Sequence, residues 1–220
     1  MQDELSRKDI DFLKDIVDTH KADRKSFNRI SARKNEDRRD YHNDKDKGWM
    51  IRWQDCMPLE IWYRKRFGVR GPFGGQLAML KQPLGVHADV LWDVPNHITL
   101  KEDCTTRYSV IETDCKDMLH TYVFDQYVDR DKWTGLKDGT DAIIGLTDEP
   151  IGNKQRWGLD HLYPNANALG LTLKTLIPLP LGRVVGWDSH HLHSGQSFMS
   201  CGGSWKLHLT LITTTASLTR

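Results

Sequence analysis

Three groups of residues in this chain have the types and spacing to do chemistry together. His87-Ala88-Asp89 sets an imidazole and a carboxylate two residues apart. In an extended strand, period-two alternation puts both side chains on one face. Far downstream, Asp188-Ser189-His190-His191-Leu192-His193-Ser194-Gly195 reads as a turn rich in imidazole. Then Trp205-Lys206-Leu207-His208-Leu209-Thr210-Leu211 reads as a strand with Lys206, His208 and Thr210 on one face and the leucines on the other. Two imidazoles and one carboxylate on one side of a metal are the donor set of non-haem Fe(II) sites with open positions. If the leucines pack into a core, the polar face must look elsewhere, and a ligand cavity is one such place. A buried ammonium there needs an anion.

His-x-Asp says little by itself. Ten histidines among 220 residues that include 30 Asp and Glu give about one or two such matches by chance. Two occur, and their contexts differ. His42-Asn43-Asp44 lies in a charged run with no apolar partners, which reads as loop. His87 follows Pro83-Leu84-Gly85-Val86 and precedes Val90-Leu91-Trp92, a buried strand end where a rigid ligand belongs.

Taken in order, these pieces resemble the Fe(II)- and 2-oxoglutarate-dependent oxygenases of the phytanoyl-hydroxylase-like and prolyl-hydroxylase-like branch. His87-Ala88-Asp89 is similar to that family's first ligand pair, and Thr121-Tyr122-Val123-Phe124-Asp125-Gln126 to a middle strand. Gly182 through Trp187 resembles the strand before the distal ligand, and His193-Ser194 resembles that ligand and its small neighbour. Lys206, thirteen residues after His193, falls where the family places the Arg or Lys that binds the cosubstrate's far carboxylate. The resemblance covers roughly residues 80–214 and not the first seventy. It implies Fe(II) held by His87, Asp89 and His193, which are also the catalytic residues. It implies 2-oxoglutarate bound by Lys206, with His208 a weaker candidate for the same carboxylate, and O2 as co-reactant. The implied reaction is hydroxylation of a C–H bond with release of succinate and CO2. Asp89 favours hydroxylation over halide transfer, because halide-transferring oxygenases of this class lack the carboxylate. With three histidines in the turn, the distal ligand is a choice. His193 is preferred because Ser194-Gly195 lets the backbone approach a metal closely and because of its place relative to Trp187-Asp188 and Lys206. His190 and His191 are then surface turn or neighbours of the ligand. Asp188 is a candidate acceptor for a ligand imidazole's second N–H.

The elements that must position these residues are legible as short β-rich runs between Gly, Pro and Asp breaks. Candidate strands span 84–91, 107–112, 119–125, 171–177, 183–187 and 205–214, a spacing that suggests an all-β sandwich or barrel. The resemblance implies a mainly β double-stranded β-helix, a cupin-like jelly roll, with flanking N-terminal helices. The expected organisation is an N-terminal helical and charged extension over 1–79 packing on an oxygenase core over 80–220, one structural domain overall. Residues 5–19 carry one helical apolar stripe. Residues 20–48 are dense in both signs of charge and read as a solvated face. The glycines of 68–75 lack a following Gly-Lys-Ser/Thr, so they mark a turn and not a phosphate loop. Residues 129–167 hold few strand signals and read as loops and a short helix covering the barrel mouth.

Composition narrows the function classes. A net charge of +1 argues against nucleic acid over the whole surface. Cys56, Cys104, Cys115 and Cys201 form no CxxC pair and point to a reducing compartment. No apolar leader opens the chain and no run reaches membrane-spanning length, so a soluble cytoplasmic protein is expected, with no membrane or nucleic-acid partner. Oligomeric state is not readable. The expected substrate is a small molecule or metabolite-like group. The same chemistry on a protein or peptide side chain, or a non-catalytic cupin-like metal-binding module, are the alternatives. A complete His-x-Asp, His and Lys set speaks against the last. Arg107 and Tyr108 could reach an anionic substrate, and Trp92, Trp133 and Trp157 could line a cavity or belong to the core.

Overall fold

The computed structural model describes residues 3–22, 48–81, 103–129, 143–145, 159 and 170–218. His42, His87, Asp89, the candidate strand over 84–91, Trp92, Trp133 and Trp157 lie outside the described residues.

The chain begins with a short strand, β1 (Asp3–Glu4), and helix α1 (Arg7–Ala22). Ser6 and Asp9 start the helix with reciprocal caps: Asp9 N–H donates to Ser6 Oγ at 3.2 Å, and Ser6 N–H donates to Asp9 Oδ2 at 2.9 Å. The stripe expected over 5–19 forms, and Leu13, Ile16 and Val17 are buried on it. Strand β2 (Gly48–Arg52) leads through a short 3-10 turn to α2 (Met57–Phe67), which carries Pro58 in its first turn. Strand β3 (Phe73–Leu80) follows. A Cβ on Gly75 would sit 3.2 Å from the Tyr63 ring. The glycine therefore lets α2 lie close on the strand. Tyr63 seals the contact, its hydroxyl lying 2.8 Å from Gln76 O and 2.9 Å from Thr210 O.

The remaining strands are β4 (Cys104–Thr113), β5 (His120–Val128), β6 (Ile143–Ile144), β7 (Leu173–Pro178), β8 (Arg183–Asp188), β9 (His191–Gly195) and β10 (Lys206–Thr214); a one-turn helix, α3 (Thr215–Leu218), closes the described chain. They build two antiparallel sheets. The larger has the order β1-β8-β4-β10-β3-β2, and in the smaller β5 pairs with β6, β7 and β9. Strands β8, β9 and β10 step from the large sheet to the small and back, the winding of a double-stranded β-helix. The protein is mainly β and a jelly roll of the cupin kind.

Two cores follow from this layering. Outside the large sheet, Leu207, Leu209 and Leu211 pack with Leu13, Ile16 and Val17 of α1 and Leu59 and Tyr63 of α2. Between the sheets, Tyr108, Val110 and Trp187 of the large sheet meet Val123 of the small sheet, with Leu119 and Phe198 beside them. The leucine face of β10 is thus spent on the helices. Its other face looks between the sheets.

The sequence left several elements unread. The imidazole-rich stretch turns only at Ser189–His190, and from His191 to Gly195 it is strand. Pairing with β5 (Val123 opposite His193, Tyr122 opposite Ser194, Thr121 opposite Gly195) satisfies a backbone whose own side chains have little strand preference. Strands β2 and β3, both N-terminal to residue 80, are members of the large sheet. No helix among the described residues is long and apolar enough to cross a membrane.

Candidate active site

His193 enters the inter-sheet space from the small sheet. It lies opposite Val123, a residue of the inner core, and its ring centroid stands 5.1 Å from that of Trp187 on β8 across the space. Burial holds its imidazole neutral, with the pKa pushed down to about 3; a hydrogen bond with the His191 backbone opposes this, and the Lys206 charge adds to it. A neutral imidazole is the form that can ligate a metal.

The neighbouring histidines are engaged differently. His191 Nδ1–H donates to Phe124 O at 2.8 Å, and its Nε2 takes a 2.7 Å contact from Lys174 Nζ, so both ring nitrogens are occupied. His190 is buried rather than on a surface turn, and its Nδ1 lies 2.9 Å from Asp188 Oδ1. Asp188 therefore serves His190 as an acceptor. The same carboxylate oxygen takes the His190 backbone N–H at 2.9 Å.

From the large sheet, β10 brings Lys206, His208 and Thr210 to the facing wall. In register, Lys206 lies opposite Leu80 of β3, His208 opposite Val110 and Thr210 opposite Tyr108 of β4. Lys206 is 4 % exposed. Its Nζ sits 5.1 Å from the centroid of Tyr108 and 5.8 Å from that of Phe198. Among the described residues no carboxylate pairs with it. Burial pushes its pKa down to about 8, against a smaller opposing pull from Cys115 and Cys201. His208 stacks on Tyr108 at 4.8 Å, and its Nδ1 is buried with no hydrogen-bond partner among the described residues. Burial first, and the Lys206 charge second, hold that imidazole neutral as well.

Gly195 joins the two walls. A Cβ on it would lie 3.4 Å from Lys206 Nζ, so the ammonium reaches the backbone of β9 just two residues beyond His193. Two residues of strand span about 7 Å.

Arg107 is turned the other way. It pairs with Leu211, on the helix-covered face, and donates from Nη1 to Thr213 Oγ1 at 2.7 Å. Its neighbour Tyr108 faces inward beneath Lys206 and His208. Tyr108, which the sequence offers as a contact for an anionic substrate, forms ring walls with Trp187 and Phe198, an arrangement set by pairing between distant strands. Among the described residues no group of three or more His, Cys, Asp and Glu is placed to hold a metal, and His87 and Asp89 lie outside them.

The fold and this site define a double-stranded β-helix protein with a basic and imidazole-lined interior. No protein-family profile and no curated protein matches the sequence. Among solved structures, the chain is similar to AviO1 from Streptomyces viridochromogenes Tue57, with TM-score 0.45 and 11% identity, covering 100% of this chain and 90% of that one. It is similar to the non-haem alpha-ketoglutarate-dependent epimerase SnoN from nogalamycin biosynthesis, with TM-score 0.37 and 9% identity, covering 75% and 60%. It is also similar to oxalate decarboxylase from Bacillus subtilis, with TM-score 0.34 and 8% identity, covering 78% of this chain and 28% of that one. The chain thus spans less than a third of that protein. Likenesses at this level assign neither a family nor an activity.

Proposed function

We propose that the protein is an Fe(II)- and 2-oxoglutarate-dependent dioxygenase that hydroxylates a small-molecule or metabolite-like substrate. One observation carries the reading: a lysine ammonium buried between the sheets, with no carboxylate partner among the described residues, beside Gly195 and two residues along β9 from a buried neutral His193. A buried cation without an anion is costly, and the far carboxylate of 2-oxoglutarate would remove that cost.

The described members of the set suit the proposed groups. His193 offers a neutral imidazole; His87 and Asp89 are tethered seven and nine residues along the chain from the end of β3, whose last residue, Leu80, lies opposite Lys206. Together these three would hold the metal. His208 Nδ1, a buried nitrogen without a partner among the described residues, can bond the same carboxylate as Lys206. When bound, Fe(II) supplies oxygen activation coupled to decarboxylation of 2-oxoglutarate to succinate and CO2. The chain's own part is to orient the cosubstrate through Lys206 and to exclude water with the rings of Tyr108, Trp187 and Phe198. His191 has both nitrogens engaged, which supports His193 as the distal ligand.

The test is metal binding, read by equilibrium titration with Mn(II) under 2-oxoglutarate. The parent is expected to bind one equivalent. His87→Ala, Asp89→Ala and His193→Ala are each expected to lose it, while His190→Gln and His191→Gln keep it. Metal binding that survives His193→Ala and fails in His190→Gln would overturn the ligand assignment.

A further inference from the structure

Two cysteines that lie far apart in sequence meet beside the Lys206 end of the site. We propose that Cys115 and Cys201 are a reversible dithiol–disulfide pair, oxidised by hydroperoxides, that ties the exit of β4 to the turn entering β10. The proposal stands independently of the dioxygenase reading.

The geometry is set by backbone on both sides of the two sulfurs. Lys116 N–H donates to Cys201 O at 2.9 Å, and Asp117 N–H donates to the same oxygen at 3.3 Å. On the other side Asp114 Oδ1 accepts from Ser204 N–H at 2.8 Å and from Trp205 N–H at 2.9 Å, while Asp114 Oδ2 accepts from Ser204 Oγ–H at 2.5 Å. The segments 114–117 and 201–205 are therefore zipped together, and Cys115 packs against the core cluster that holds Cys201. Gly203 keeps this close: a Cβ there would sit 2.4 Å from Cys115 Sγ. Fixed proximity of this kind raises the effective concentration of one thiol at the other.

The two sulfurs have different access. Cys201 is fully buried, its thiol donates to Ser197 O at 3.1 Å, and burial pushes its pKa up to about 12. Cys115 is partly exposed, so a small peroxide meets it first. The Cys115 thiol gives up its proton, its sulfur attacks the O–O bond and becomes a sulfenic acid, and the departing hydroxide takes up that proton and leaves as water. The Cys201 thiol then attacks that sulfur, forming the S–S bond and expelling a second water. Two thiols lose two electrons and two protons in all, and one hydrogen peroxide becomes two waters. The bond would close an 86-residue loop next to the lysine that both sulfurs already influence.

The experiment treats the native, fully reduced protein with hydrogen peroxide, blocks remaining thiols under denaturation, and maps tryptic peptides without reduction. Cys115 falls in the peptide 108–116 and Cys201 in 184–206, while Cys56 and Cys104 fall in others. The expected product is 108–116 joined to 184–206, reversed by dithiothreitol and absent from Cys115→Ser. The oxidised parent is also expected to melt about 5–10 °C higher than the reduced one. Recovery of both peptides unlinked, with Cys115 overoxidised or still alkylatable, would overturn the proposal. Linkage of Cys115 to Cys56 or Cys104 in the native protein would overturn it equally. Because the mapping is done on the parent, the result does not depend on how the variant folds.

Discussion

Replacing Lys206 by methionine should make the ligand-free protein more stable and should weaken the proposed binding of 2-oxoglutarate. Methionine matches the length of the side chain and suits the aromatic surroundings of Tyr108 and Phe198. The depression of the Lys206 pKa from 10.5 to about 8 corresponds to about 3 kcal/mol of unfavourable burial. Cation–π contact with the two rings returns part of that, on the order of 0.5–2 kcal/mol. Lys206→Met should therefore stabilise the protein by about 1–3 kcal/mol at neutral pH, which for a chain of this size raises the Tm by about 3–10 °C. Dicarboxylate binding should move the opposite way. Loss of a charge-assisted partner from a buried anion costs on the order of 2–5 kcal/mol, a weakening of 2-oxoglutarate by roughly 30- to several-thousand-fold. Lys206→Arg should keep part of the affinity, since the charge survives on a larger planar head. The assay pairs thermal melts of the ligand-free proteins with calorimetric titration of 2-oxoglutarate in the presence of Mn(II). A variant that melts lower than the parent yet binds 2-oxoglutarate as tightly would refute the reasoning and leave Lys206 a structural cation held by its rings.

The remaining predictions concern pH, the glycine and the tyrosine. Because the folded pKa of Lys206 lies below its unfolded value, the unfolded chain binds more protons between pH 8 and 10.5, so this residue's contribution to stability rises across that window. The stability gap between Lys206→Met and the parent should accordingly shrink from pH 8 to 10.5 in urea denaturation; a constant gap would contradict it. Gly195→Val places carbon where the ammonium approaches, at 3.4 Å from the first added atom, and should weaken 2-oxoglutarate about tenfold or more in the same calorimetric titration while the parent's antiparallel circular-dichroism spectrum persists. Tyr63→Phe removes the hydroxyl that bonds Gln76 O and Thr210 O and should cost about 1–2 kcal/mol in urea denaturation, with no change in 2-oxoglutarate affinity.

Much of the β framework was legible because its strands carry their own signals. The runs 107–112, 119–125, 171–177, 183–187 and 205–214 each overlap an observed strand, and the alternation of Lys206, His208 and Thr210 against three leucines assigned the two faces of β10 correctly. β3 escaped because Gly74 and Gly75 dilute its pattern; the reason for Gly75, the close approach of the Tyr63 ring, belongs to tertiary packing. β9 escaped because His191, His193, Ser194 and Gly195 have little preference for strand until β5 pairs with them. The face of Arg107 was not fixed by its neighbours in sequence; pairing with Leu211 sets it outward and Tyr108 inward. No local pattern announces that Cys115 and Cys201 adjoin, since the β4 exit and the β10 entry meet only through the sheet.

The most direct test of His193 and Lys206 as parts of one site is the visible absorbance of Fe(II) with 2-oxoglutarate, titrated without oxygen. The parent should develop a metal-to-ligand charge-transfer band that saturates at one equivalent of each. His193→Ala should give no band at any concentration, and Lys206→Met should give the same band only at much higher 2-oxoglutarate. Absence of the band in the parent, under conditions where it binds metal, would contradict the dioxygenase reading and leave a metal-binding jelly roll in its place.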